Sequence, residues 1–142
     1  MSTPVKEERF EYKGFPCVVL FMPMGFRNGY VGLPHENKYY GKGYDFIPVN
    51  CHGGLTYASR NLCGQEDKNT WWIGFDCGHC CDGFDIEAIK EHYKDDAEVL
   101  KQLKTMQGYY SMVNSDTEFR TLDYVKEECK KIVDQLLEES EE

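Results

Sequence analysis

Trp71-Trp72-Ile73-Gly74-Phe75-Asp76-Cys77-Gly78-His79-Cys80-Cys81-Asp82 is where the chain changes character. Thr70–Phe75 reads as a strand, rich in aromatic and β-branched residues. Period-two alternation sends Trp71, Ile73 and Phe75 to one face and Trp72, Gly74 and Asp76 to the other. The first set suits a core. Glycine then punctuates the segment at Gly78 and Gly83, and Asp85 is a candidate N-cap for a helix beginning at Ile86.

Upstream, the chain reads as short strands. Glu8–Tyr12 and Phe15–Met22 flank the turn Lys13-Gly14 as a hairpin, and Tyr30–Leu33 and Leu55–Ala58 are further strands. Pro34 to Pro48 is a loop rich in Tyr and Gly, and Ser59–Asn69 is a polar loop. Downstream, Ile86, Ile89, Tyr93, Ala97, Leu100 and Leu103 recur at helical spacing and predict one helix. Gly108 to Phe119 reads as a connector. A last helix begins near Thr121 with the apolar stripe Leu122, Val125, Cys129, Ile132, Val133 and Leu136.

Strands first and helices later predict an α+β fold: a mostly antiparallel sheet from the N-terminal half, with two C-terminal amphipathic helices packed on one face. The 142 residues suit a single domain, 1–142, with 1–84 mainly strands and loops, 85–137 mainly helical, and 138–142 an acidic tail. A content of 41% hydrophobic and 14% aromatic residues is ample for a core.

Charge narrows the classes of function. The net charge is −9. Residues 1–84 hold eight Lys/Arg against nine Asp/Glu, and residues 85–142 hold eight against sixteen. A phosphate backbone needs a basic face, so direct nucleic-acid binding is not expected. No run approaches the roughly eighteen apolar residues of a membrane span. The opening residues, Met1 to Arg9, carry no apolar signal region, so a cytoplasmic setting is expected, with the seven cysteines mostly reduced.

The candidate site combines two segments. In the first, His52-Gly53-Gly54 can turn successive backbone N–H groups toward an anion, Thr56 adds a hydroxyl, and Arg60 lies just beyond. In the second, Gly74 opens the strand face beside Trp72, a platform for a planar group. Asp76, His79 and Asp82, spaced by three, offer acceptors, a proton shuttle or hard metal ligands. The expected ligand-binding set is therefore His52, Gly53, Gly54, Thr56, Arg60, Trp72, Asp76, His79 and Asp82, with no cofactor. If the protein were an enzyme, His52, His79, Asp76 and Asp82 would be its catalytic groups. A competing zinc site would use Cys51, Cys63, Cys77 and Cys80. Zinc favours two close pairs of ligands, and only Cys77–Cys80 is one.

Gly29–Pro34, His52–Tyr57 (HGGLTY) and Trp71–Asp82 together resemble a family of small uncharacterised phage and prophage proteins with HGGLTY and WW(I/F)GFDxxHxxD motifs. Leu122–Cys129 extends the resemblance to most of the chain outside the first helix. The family pattern Phe-Asp-x-x-His-x-x-Asp matches Phe75, Asp76, His79 and Asp82, and small residues often stand where this chain has Cys80 and Cys81. The resemblance implies a counter-defence protein in the cytoplasm of an infected bacterium. It would bind and sequester a nucleotide-derived immune signal. The alternatives are a phosphodiesterase-like hydrolase of such a signal, or an acidic protein inhibitor of a host defence protein. A homodimer fits the general tendency of small pocket proteins.

Overall fold

A computed structural model describes residues 3–63, 65–66, 69–78, 83–113 and 119–140. Strand β1 (Val5–Tyr12) turns into β2 (Phe15–Phe21) at Lys13 and Gly14, whose φ angles are +50° and +87°. Two successive left-handed residues match the twist of the flanking strands, so Tyr12 faces Phe15 directly. Then come β3 (Arg27–Pro34), a 3-10 turn (Tyr44–Phe46), β4 (Tyr57–Ser59), a minimal hairpin of β5 (Asn61–Leu62) and β6 (Gln65–Glu66), and β7 (Thr70–Asp76). The hairpin occupies part of the expected polar loop.

The main sheet is antiparallel throughout, in the order β1-β2-β3-β7-β4. Strand β2 is buried on both faces: Cys17, Val18, Val19, Leu20 and Phe21 are all buried. The inner face gathers Cys17, Val19, Val31, Ile73 and Phe75 beneath helix α3 (Leu122–Ser140). That helix contributes Val125, Cys129, Ile132, Val133 and Leu136, the expected stripe. Thr121 caps it, its Oγ1 accepting the Tyr124 N–H at 3.1 Å. Close approach depends on Gly29. A Cβ there would meet Phe75 Cζ at 2.5 Å and Cys129 Sγ at 2.9 Å.

The helical half has one more helix than expected. Helix α1 (Ile86–His92) starts at Asp85, whose side chain accepts the Ala88 N–H as the sequence suggested. It ends at Tyr93, and α2 (Ala97–Val113) starts afresh with Asp96 Oδ1 accepting the Val99 N–H at 3.1 Å. A second capping acid thus divides the single periodic run. Both helices pack around Phe21 at the end of the inner face, through Ala88, Ile89, Tyr93, Val99 and Leu103. Helix α2 also runs through Gly108, where a connector was expected. A Cβ at Gly108 would touch nothing within 4 Å, and one exposed glycine costs a helix only about 1 kcal/mol. Nor is the acidic end merely a tail: α3 continues to Ser140, and Glu139 accepts from Tyr39 Oη at 3.1 Å and Lys38 Nζ at 3.4 Å.

The elements meet at Arg27, a buried guanidinium 5% exposed. It donates to both carboxylate oxygens of Glu7 (2.5 and 3.1 Å), to Asp85 Oδ2 (2.9 Å) and to the Arg120 carbonyl (3.0 Å). His92 Nε2 also contacts Glu7, at 2.9 Å. The register shift between Lys6 and Glu8 marks a bulge at Glu7, where β1 departs from its regular pairing. Among the described residues no helix is long and apolar enough to cross a membrane.

Candidate functional site

The described members of the expected site fall in different parts of the molecule. Trp72 and Gly74 lie on the outer face of the sheet, as the alternation required. That face is not open there. Trp72 is 4% exposed and packs with Val18, Leu20 and Tyr30, flanked by Met22, Tyr57 and Leu62. The space above Gly74 is filled by the Tyr30 ring, since a Cβ at Gly74 would lie 2.5 Å from Tyr30 Cδ1. The glycine therefore admits a neighbouring side chain rather than a ligand, and Trp72 is a core residue rather than a stacking platform.

Asp76, at the end of the same strand, is tied locally. Its Oδ2 accepts from Thr56 Oγ1 at 3.2 Å, and its Oδ1 accepts the Gly78 N–H at 3.0 Å. The Thr56 N–H donates to the Gly74 carbonyl at 2.9 Å, so this carboxylate stitches the start of β4 to the end of β7. Thr56 and Asp76 were expected together and are together. Arg60 is exposed just past β4. His79 and Asp82 lie outside the described residues, as does Cys80.

His52 belongs to the other side, against helix α3. Gly53 and Gly54 have φ of +69° and +81°, and the Gly54 N–H donates to the Cys51 carbonyl at 2.9 Å. This left-handed turn, which glycine adopts without a Cβ penalty, presents the His52 N–H to a carboxylate. The acceptor belongs to the protein itself: Glu128 Oε1, at 2.8 Å. His52 Nδ1 and the Tyr124 hydroxyl share a hydrogen bond of 2.9 Å, with the rings edge-on at 5.5 Å. Burial, then the charge of Glu128, push the Tyr124 phenol above its ordinary pKa. Just before the turn, Asn50 and Gln135 exchange two hydrogen bonds of 2.7 Å each.

Between this loop and α3 lies an open groove of about 590 Å³, lined by Asn50, Cys51, His52, Glu128, Lys131, Asp134 and Gln135. Two ion pairs neutralise its acids: Lys131 with Glu128 at 2.9 Å and Lys13 with Asp134 at 2.8 Å. The groove offers donors and acceptors in fixed positions without a strong field of either sign. Among the described residues of the expected ligand-binding set, only His52 lines it; Cys51, from the expected zinc set, lines it too. The sequence reading missed Glu128, Tyr124 and Lys131. Glu128 did leave a signal, as an acid one residue before Cys129 in the apolar stripe, and it is only 5% exposed.

A second pocket, of about 320 Å³, opens in the β3–β4 loop and is lined by Lys38, Tyr39, Lys42 and Phe46. The three described members of the expected zinc set do not converge. Cys51 and Cys77 belong to the core beneath α3, whereas Cys63 is exposed at the β5–β6 turn, beside Leu62 of the outer cluster. Among the described residues, no three His, Cys, Asp or Glu side chains are grouped so as to hold a metal ion. Comparison of the chain with family models, curated proteins and solved structures gave no match.

Proposed function

We propose that the protein binds and holds a small nucleotide-derived signal molecule, acting as a phage-type counter-defence sponge. The observation that supports this reading is the groove between the His52-Gly53-Gly54 turn and α3. Its rim is preorganised by the Asn50–Gln135 pair and the His52–Glu128 bond, so little ordering cost remains for a ligand to meet. Its mixture of amide, imidazole, ammonium and carboxylate groups suits the hydroxyls and ring nitrogens of a nucleoside. The phage setting comes from the motif resemblance and the chemistry from the groove.

Holding is favoured over cutting because the two expected catalytic residues that are described, His52 and Asp76, engage different partners. His52 bonds Tyr124 and Glu128, whereas Asp76 bonds Thr56 and Gly78. Isothermal titration against cyclic oligonucleotides and cyclic ADP-ribose isomers tests the reading. One member should bind, more weakly to Lys131→Ala and His52→Ala, and should be recovered intact after heat denaturation. A panel without binding sinks the proposal, and a chemically altered ligand replaces it with the hydrolase.

A further inference from the structure

We propose that the β3–β4 loop carries a separate site for a planar aromatic molecule bearing a phosphate, of the nucleoside monophosphate class. The pocket of Lys38, Tyr39, Lys42 and Phe46 shares no lining residue with the His52–Glu128 groove. The proposal therefore stands independently of the sponge reading.

The first argument is exposure. Phe46 is 75% exposed and Tyr44 42%, in a chain with ample room for aromatics in its core. Leaving a phenyl ring in water forgoes burial energy, and because Phe46 lines the pocket its open face is available for a planar ligand to stack on. The second is charge. Both ionisable groups lining the pocket besides the tyrosine are lysines, although the chain as a whole carries −9. Lys38 is paired with Glu139, so among the described residues the Lys42 ammonium supplies the free positive charge, and a cation beside aromatic faces matches an anion attached to a flat ring system. Its volume of about 320 Å³ admits a small molecule rather than a polymer.

The third argument is rigidity. Consecutive turn bonds, Tyr40 N–H to Asn37 O, Lys42 N–H to Tyr39 O and Phe46 N–H to Gly43 O, hold the loop in shape. The Tyr39 hydroxyl is anchored on Glu139, and the Trp71 indole N–H donates to the Lys42 carbonyl at 2.9 Å. Lys38 is weakly held: its bond to Glu139 is long, at 3.4 Å, and its side chain is 53% exposed, so a phosphate can compete with Glu139 for the ammonium.

The probe is adenosine 5′-monophosphate, followed by calorimetry and by Trp71 fluorescence, with adenosine and inorganic phosphate as separate arms. Saturable binding of the monophosphate is expected, weakened about tenfold or more in Phe46→Ala by loss of the stacking face. Lys42→Ala should weaken it less and reduce its salt dependence, while His52→Ala leaves it unchanged. Adenosine should bind more weakly than the monophosphate, and phosphate alone should not saturate. The proposal is overturned if the monophosphate does not saturate, if Phe46→Ala and Lys42→Ala bind it like the parent, or if His52→Ala abolishes binding. It is also overturned if sedimentation shows a dimer that Phe46→Ala dissociates while the monophosphate has no effect. A failed signal panel with a positive result here removes the sponge reading alone.

Discussion

At the scale of single residues, Arg27 ties Glu7 of β1 to Asp85 at the start of α1. Its guanidinium satisfies Glu7, whose side chain is only 8% exposed, along with Asp85. Removing one partner of a buried pair strands the other charge. Arg27→Met is expected to cost about 3–5 kcal/mol, read as a lower urea midpoint. Arg27→Lys should fall between, because an ammonium cannot reproduce the two-pronged contact with Glu7. Cysteine chemistry follows burial in the same way. Burial pushes the Cys17 and Cys51 thiols up to about 12, and raises the wholly buried Cys129 well above its usual value. Thiolate is the reactive form, so iodoacetamide at pH 8 should leave these three unmodified in the native protein while labelling exposed Cys63. Peptide mapping by mass spectrometry checks this, and labelling of Cys129 without unfolding would contradict the packing described.

At the scale of elements, α3 is fastened to the β1–β2 turn by Asp134. Its pKa is lowered chiefly by the hydrogen bond from Lys13, with Tyr12 adding a second. A carboxylate with a lowered folded pKa stabilises the fold above its unfolded pKa and loses that contribution as pH falls through the folded value. Both partners are largely exposed, so the effect should be small. Urea midpoints of Asp134→Asn and the parent should differ slightly at pH 7 and approach each other as the pH falls below the ordinary carboxylate pKa. The elements also show what could be read from the chain. The strands announced themselves because local rules agree there: alternation along β7, the apolar run of β2, and a Lys-Gly turn that tolerates left-handed backbone. The division of α1 from α2 was hidden because the same apolar residues serve one long helix or two short ones. Asp96 marks the break between them, by accepting the Val99 N–H. The site was less legible for a related reason. Parity placed Trp72 on the outer face correctly, but its burial depends on Tyr30 and Leu62 arriving from other strands. Likewise the partner of the His52 N–H, Glu128, lies 76 positions away.

At the scale of the whole molecule, the two sides of the sheet are separately packed bodies. The inner side is a thick core under α3, extended at one end by α1 and α2 around Phe21. The outer side is a thinner cluster of Val18, Leu20, Tyr30 and Trp72. The groove along α3 and the pocket in the β3–β4 loop both open to the surface, so a ligand at either need not disturb the cores.

The adjacent tryptophans of β7 report on these regions separately. Trp72, enclosed in the outer cluster, should emit at short wavelength and respond only to unfolding. Trp71, half-buried with its indole N–H on the Lys42 carbonyl, should respond to events in the β3–β4 loop. Trp71→Phe and Trp72→Phe variants would each leave one emitter, separating a ligand's arrival from global unfolding without any added dye. If adenosine 5′-monophosphate alters the emission of Trp72 and not of Trp71, this division of optical labour is wrong.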